Sequence, residues 1–208
     1  PWLTTDSATY PAVVDGRLKW IVDGYTTLES LPYSQRASLS DATQDTLNPD
    51  GTTQRLVNDK VGYIRNSVKA TVDAYDGTVD LYEFDKNDPV LKAWEGVFPD
   101  VVKPEAEISD ELREHFRYPE DMFKVQRDLL ARYHVDDPNV FFNNDAFWSV
   151  PNDPTAEESR QLNQPPYYVM AADPETGKPT FQLTTSYRGL NREFLSAHMA
   201  VSSDPETY

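Results

Sequence analysis

Cysteine is absent from the 208 residues, glycine is scarce at eight, and histidine occurs three times. Without thiols there is no disulfide frame, no thiolate nucleophile and no cysteine-based zinc site, and the redox compartment stays open. Basic residues are also short, with 19 Lys plus Arg against 35 Asp plus Glu and a formal charge of −16. That balance excludes nucleic acid as a partner, because phosphate backbones are gripped by clustered cations that release counterions. It equally opposes adsorption to an anionic lipid surface. No apolar run approaches the roughly 18 residues that span a bilayer. The opening Pro1-Trp2-Leu3-Thr4-Thr5 has neither an initiator Met nor the basic-then-apolar layout of a signal peptide, and reads as part of a longer polypeptide. Nucleophile elbows, glycine-rich phosphate loops, His-x-x-x-His helices and EF-hand loops are all missing.

Aromatics are plentiful at 12%, including four Trp and twelve Tyr, which argues against the disorder that acidic composition alone would suggest. A chain of this length buries about 70% of its unfolded surface, so residues 1–208 are expected to fold as a single soluble domain without staples. The acidic excess then reads either as a solubility device or as a face that attracts cations.

Turn chemistry organises the chain. Asp15-Gly16 lies between Ala12-Val13-Val14 and Leu18-Lys19-Trp20-Ile21-Val22, the pattern of a hairpin whose two central residues need positive φ. Leu18, Trp20 and Val22 share one face of the second strand, with Lys19, Ile21 and Asp23 on the other. A second hairpin is predicted over residues 61–85. Val68, Ala70, Val72 and Ala74 alternate with polar partners there, Asp76-Gly77 turns, and Val79, Leu81 and Glu83 continue the spacing. A helix from Ser67 competes, but β-branched residues crowd helical χ1. A third hairpin, with a longer loop, is predicted between residues 167–171 and 179–185, and residues 195–201 add a strand or short helix.

Three helices are predicted between the hairpins. Asp88-Pro89 caps and opens the first, with Val90, Leu91, Trp94, Val97 and Phe98 as its stripe. Ser109 caps the second, through Arg117, and Pro119 opens the third, through His134. Met122, Val125, Leu129 and Tyr133 are its expected buried stripe, and Asp136-Asp137-Pro138 is expected to end the run of helices. Residues 34–60, with Asn48-Pro49-Asp50-Gly51 as a turn, are expected as a long surface loop with a short element or two, and residues 151–166 as a second surface loop. The fold class that follows is α+β, a mostly antiparallel sheet built from hairpins with a three-helix segment inserted in the middle.

Candidate chemistry is sparse. His115, His134 and His198 are far apart, and His134 suits a helix C-terminus. Acid pairs such as Asp136/Asp137 and Glu157/Glu158 arise readily among 35 acids, and a glycosidase-type pair needs spatial opposition that sequence does not give. Among metals calcium fits best, since Asp85, Asn87 and Asp88 gather the oxygen donors a hard cation prefers, although Asp88 is equally explained as a helix cap. No cofactor is predicted beyond that. Asn143, Asn144, Asp145 and Trp148 lie in the aromatic stretch from Phe141, resembling the lining of a small-ligand or sugar cleft, with an aromatic strand punctuated by an Asn-Asn turn as the alternative.

Several longer strings carry a resemblance: Trp20-Ile21-Val22-Asp23-Gly24-Tyr25-Thr26-Thr27, Tyr63-Ile64-Arg65-Asn66-Ser67-Val68-Lys69-Ala70, Val72-Asp73-Ala74-Tyr75-Asp76-Gly77, Phe116-Arg117-Tyr118-Pro119-Glu120-Asp121 and Pro166-Tyr167-Tyr168-Val169-Met170. Together they resemble uncharacterised protein family 0182 (UPF0182), actinobacterial multi-pass membrane proteins, over nearly the whole chain. The resemblance implies transmembrane helices N-terminal to these residues and a large water-facing portion outside the cytoplasm. It brings no activity and no site residues. The function expected is therefore a non-catalytic extracytoplasmic binding or assembly domain of a cell-membrane protein. Its partners would be its own N-terminal transmembrane region and an envelope component or membrane protein. The alternatives are a carboxylate-based enzyme, with or without calcium, acting on envelope glycan or lipid, or an accessory domain of a transporter.

Overall fold

The computed structural model describes residues 3–47, 53–54, 60–156, 162–174 and 176–204. The turn at Asn48-Pro49-Asp50-Gly51, the pair Glu157/Glu158 and Glu175 of the third hairpin lie outside them. The architecture is α+β with antiparallel sheets, as expected.

The first sheet is built on one long strand. Strand β1 is Thr4–Thr5, β2 is Tyr10–Val14 and β3 is Arg17–Leu28. Asp15 (φ 52°) and Gly16 (φ 70°) turn β2 into β3, so that Val14 faces Arg17 and Tyr10 faces Ile21. β1 continues the same edge, pairing Thr4 with Tyr25. Strands β4 (Ala37–Ser38) and β7 (Lys60–Val61) pair with each other, as do β5 (Thr46–Leu47) and β6 (Thr53–Gln54). Between β4 and β5, helix α1 (Leu39–Thr43) buries Leu39 and Thr43, so part of the stretch expected as surface loop contributes to the core. β8 (Tyr63–Asp73) lies along the other edge of β3, and β9 (Val79–Glu83) beyond it, with Val72 facing Val79 across the turn. The strand reading over residues 67–74 holds, and no helix forms there. A bulge opposite Gly24 and Tyr25 leaves Ser67 unpaired in the ladder. A Cβ at Gly24 would stand 3.2 Å from that of Val68, which explains glycine at this close approach.

Helix α2 (Pro89–Val97) has Asp88 as its N-cap. A 3₁₀ turn (Glu105–Glu107) leads to α3 (Asp110–Glu114), capped by Ser109 and three residues shorter than expected, and then to α4 (Glu120–Tyr133). Ile108, Leu112 and Phe116 close over Val14, Ile21 and Tyr82 on one face of the first sheet. Each such side chain contributes about 1.5–3 kcal/mol by leaving water.

Two expectations about α4 and its end are corrected. Met122 and Val125 are buried, but Leu129 and Tyr133 are 46% and 55% exposed. The buried face instead runs through Phe123, Lys124, Arg127 and Ala131, because charged partners wait on that side. Asp137-Pro138 does not stop the helices. It starts another, α5 (Pro138–Asn143), with the Asp137 carboxylate accepting from Asn139 N and Val140 N. The strand alternative for this aromatic stretch fails over residues 141–143, although the chain does turn at Asn144 and Trp148 does enter a strand.

The second sheet repeats the plan of a long central strand. Strand β10 is Trp148–Ser149, β11 is Tyr167–Ala172, β12 is Pro179–Gly189 and β13 is Leu195–Ser202. β12 carries β11 and β10 along one edge and β13 along the other. It sits on α4 through Leu183 and Tyr187, the Tyr187 hydroxyl donating to Arg127 O at 3.0 Å.

Candidate functional site

The most unusual feature is a band of buried charge where β1, β3 and β8 meet α4. Side chains that alternation places on the core face of β3 are Ile21, Asp23 and Tyr25, and those on β8 are Lys69, Thr71 and Asp73. Lys69 is fully buried and paired with Asp23, which stands directly opposite in register. Its ammonium also donates to Arg117 O at 3.3 Å and lies 4.8 Å and 5.2 Å from the ring centroids of Phe84 and Phe116. Asn66 Nδ2 donates to Asp23 at 2.8 Å. Burial still pushes the Asp23 carboxyl upward, against the pull of Lys69.

Beside it, Asp6 holds the backbone of Asp121, and Asp121 holds that of Ser7. Asp6 Oδ2 accepts from Asp121 N at 2.9 Å and from the Tyr25 hydroxyl, while Asp121 Oδ2 accepts from Ser7 N at 2.8 Å and Ser7 Oγ at 2.6 Å. Asp121 lies in the first turn of α4, where a negative charge meets the positive end of the helix dipole. Even so, burial first and the neighbouring Asp6 charge second raise its carboxyl to about 6. Asp121 Oδ1 has no hydrogen-bond partner among the described residues and lies 3.5 Å from Lys124 Nζ. Lys124 itself pairs with Asp45 and Glu120, each at 2.9 Å, and Arg127 closes on the other oxygen of Asp45 at 2.6 Å. Burial opposes the Lys124 charge, but Glu120, Asp45 and Asp121 outweigh it and hold the ammonium above its ordinary pKa.

The sequence-predicted calcium candidates are adjacent but already engaged. Asp88 accepts from Thr26 and Ser67 through Oδ2 and from Tyr63 and Val90 N through Oδ1. Burial would raise its carboxyl, yet these donors together hold it below the usual range. Asp85 accepts from Asn87 N at 2.9 Å and pairs with Arg65 at 3.1 Å. Among the described residues no group of three or more His, Asp or Glu side chains is arranged to hold a metal ion.

The aromatic stretch is divided by α5. Asn144, in the left-handed conformation that caps α5, and Trp148 line a cleft of about 510 Å³ with Arg132, Arg188, Asn152 and Asn163. Asn143 and Asp145 are exposed and stand outside that lining. The Trp148 ring is already stacked on His134, with centroids 3.5 Å apart. Arg188 is tied to Ser149 at 3.2 Å and Glu193 at 2.7 Å. A larger cleft, about 870 Å³, runs between α3 and the second sheet. On its wall the Arg117 guanidinium lies 3.9 Å from the Tyr10 ring centroid and 4.5 Å from that of Tyr168. Asp6, Asp23 and Asp121 line neither cleft.

Sequence reading missed the charged band, because Asp, Lys and Arg at helical or strand spacing are ordinarily solvated. The available signal was the core-face alternation of β3, where Asp23 falls between Ile21 and Tyr25.

Comparison with known proteins agrees across the chain. No solved structure matches it. A UPF0182 protein of Corynebacterium glutamicum (strain R) is 76% identical, one of Rhodococcus jostii 65% and one of Nocardia farcinica 64%. In each case all of this chain is covered but only 21% of the relative, so the chain spans about one-fifth of the length of the curated relatives it matches. The model of the uncharacterised protein family UPF0182 matches residues 1–208 from end to end, and the chain belongs to that family.

Proposed function

We propose that residues 1–208 form a non-catalytic binding or assembly domain of a larger membrane-anchored protein, positioned outside the cytoplasm. Its partners would be the protein's own N-terminal transmembrane region and an envelope component or membrane protein. The observation that carries this reading is the consumption of the buried charges by the fold itself. Asp6, Asp23, Asp45 and Asp88 are each met by donors from other elements, and these four carboxylates line neither of the two clefts described above. Catalysis by carboxylates needs the opposite, a desolvated acid within reach of a substrate. An acidic chain also stays soluble at a crowded envelope. No helix among the described residues is long and apolar enough to cross a membrane, so on this reading anchoring comes from other parts of the family-length protein.

Two experiments test the proposal. Reporter fusions placed after residue 204 of the family-length protein should report an extracytoplasmic position, and a cytoplasmic readout refutes that part. Affinity capture from envelope extracts should return one partner, lost when the domain is deleted, whereas no specific partner and no deletion phenotype refute the binding role. The carboxylate-enzyme reading draws on Asp121, held near 6 beside Asp6. Hydrolysis of envelope glycan or lipid that disappears in Asp121→Asn would favour it over binding.

A further inference from the structure

The first sheet departs from ordinary expectation on both faces: its core face carries the charged band beside the Val14, Ile21 and Tyr82 cluster, and much of its outward face is apolar. On β3 that outward face presents Leu18, Trp20 and Val22. Leu18 is flanked by Val13 on β2. Trp20 has Pro11 on one side and Val72 on the other, with Val79 beyond. Val22 has Ala70 and then Leu81 beside it. No charged residue interrupts these three rows. Val79 is 59% exposed, Val13 57% and Trp20 43%. An antiparallel sheet with one wet face normally alternates apolar inside and polar outside. The second sheet is mixed on the face away from Leu183 and Tyr187, where Thr184, Ser186, Arg188 and His198 share the surface with Tyr167, Val169 and Leu195.

We infer that the outward face of the first sheet is a docking surface for another part of the same family-length polypeptide, outside residues 1–208. The relatives are about five times as long as this chain, so most of the polypeptide is covalently attached and present at high effective concentration. Covalent linkage matters because the competing occupants are disfavoured by charge. A second copy would bring another net −16 against the first, and an anionic lipid surface would repel the same charge. These three rows are uncharged, with Glu83 entering only in the next row beside Val68, so their occupant presents a matching apolar surface, a helix stripe or a sheet face. This inference stands whichever side of the membrane the domain occupies.

The test uses the family-length protein with any cysteines outside this segment replaced, since residues 1–208 contain none. Val13→Cys and Val79→Cys report on the face, and Asn87→Cys, at an exposed position away from it, is the control. Maleimide labelling of the native protein should be about tenfold or more slower at 13 and 79 than at 87, with equal rates in denaturant. Benzoylphenylalanine in place of Trp20 should crosslink, on irradiation, to a peptide of the same polypeptide outside residues 1–208. Labelling at the control rate overturns the inference. So does capture of a second copy, capture of lipid, or no capture at all. A failed envelope pull-down would leave these readouts unchanged.

Discussion

Asp121 gives the fold an unusual response to acid. Its carboxyl sits at about 6 in the fold against 3.8 in the unfolded chain, because burial and the Asp6 charge outweigh the help of Lys124 and Ser7. A raised carboxylate favours the folded protein while protonated, so its contribution is complete below the unfolded value and is lost as pH rises through the folded one. The difference between those two values makes ionisation at neutral pH unfavourable by about 3 kcal/mol. Asp23, raised by burial, acts in the same direction. Asp73, drawn down to about 2 by Arg17, and Asp88 act oppositely, but only when pH falls below their unfolded value. Stability measured by urea unfolding, with tryptophan emission as the probe, should therefore rise as pH falls from about 7 to about 5, then decline below about 4. Asp121→Asn removes the titrating group and should flatten most of the upper slope. A wild-type curve that is flat or falling between pH 7 and 5, or an unchanged slope in the variant, would refute the assignment.

Other perturbations probe the same band. Lys124→Met strips the shared cation from Asp45, Glu120 and Asp121 and is expected to destabilise by about 3–5 kcal/mol in denaturant melts, more than removing any exposed ion pair such as Arg36–Glu29. Asp88→Ala removes the α2 cap and leaves the buried Thr26 and Ser67 hydroxyls to share one hydrogen bond with each other at 3.1 Å, for an expected loss of about 3 kcal/mol in the same assay. Because the Asp88 oxygens already accept from four donors, thermal melts with chelator and with millimolar calcium should superimpose, and a calcium-dependent rise would restore the metal reading.

Local chemistry was the legible part. Asp15-Gly16 and Asp76-Gly77 specify their turns within a few residues, and Asp88 and Ser109 cap their helices by reaching only to the next turn. The same logic misfired at Asp137-Pro138, where an acid before proline was read as a stop although it is the very signature that opened α2. Leu129 and Tyr133 were misplaced because hydrophobic spacing names the buried side of α4 only when the core is apolar, and here Lys124 and Arg127 claim that side. The Asp6–Asp121 exchange joins residues 115 apart, and Asp45–Arg127 spans 82. Nothing in either neighbourhood announces the other. For the candidate ligand residues, the sequence located Asn144 and Trp148 on one cleft, but it could not show that His134 already covers the Trp148 ring.

The grip between Asp6-Ser7 and Asp121 also sets an order on biosynthesis. A ribosome delivers β1 long before α4, at roughly 5–20 residues each second, so the beginning of this segment must wait for more than half of it to emerge. Until then Asp6 and Tyr25 are inward-facing polar groups short of a partner, and the β3–β8 ribbon closes without its final fastening. Nascent chains arrested before Phe123 should consequently leave residues 3–8 open to protease, while chains long enough for Ala131 to have emerged from the ribosome should shield them.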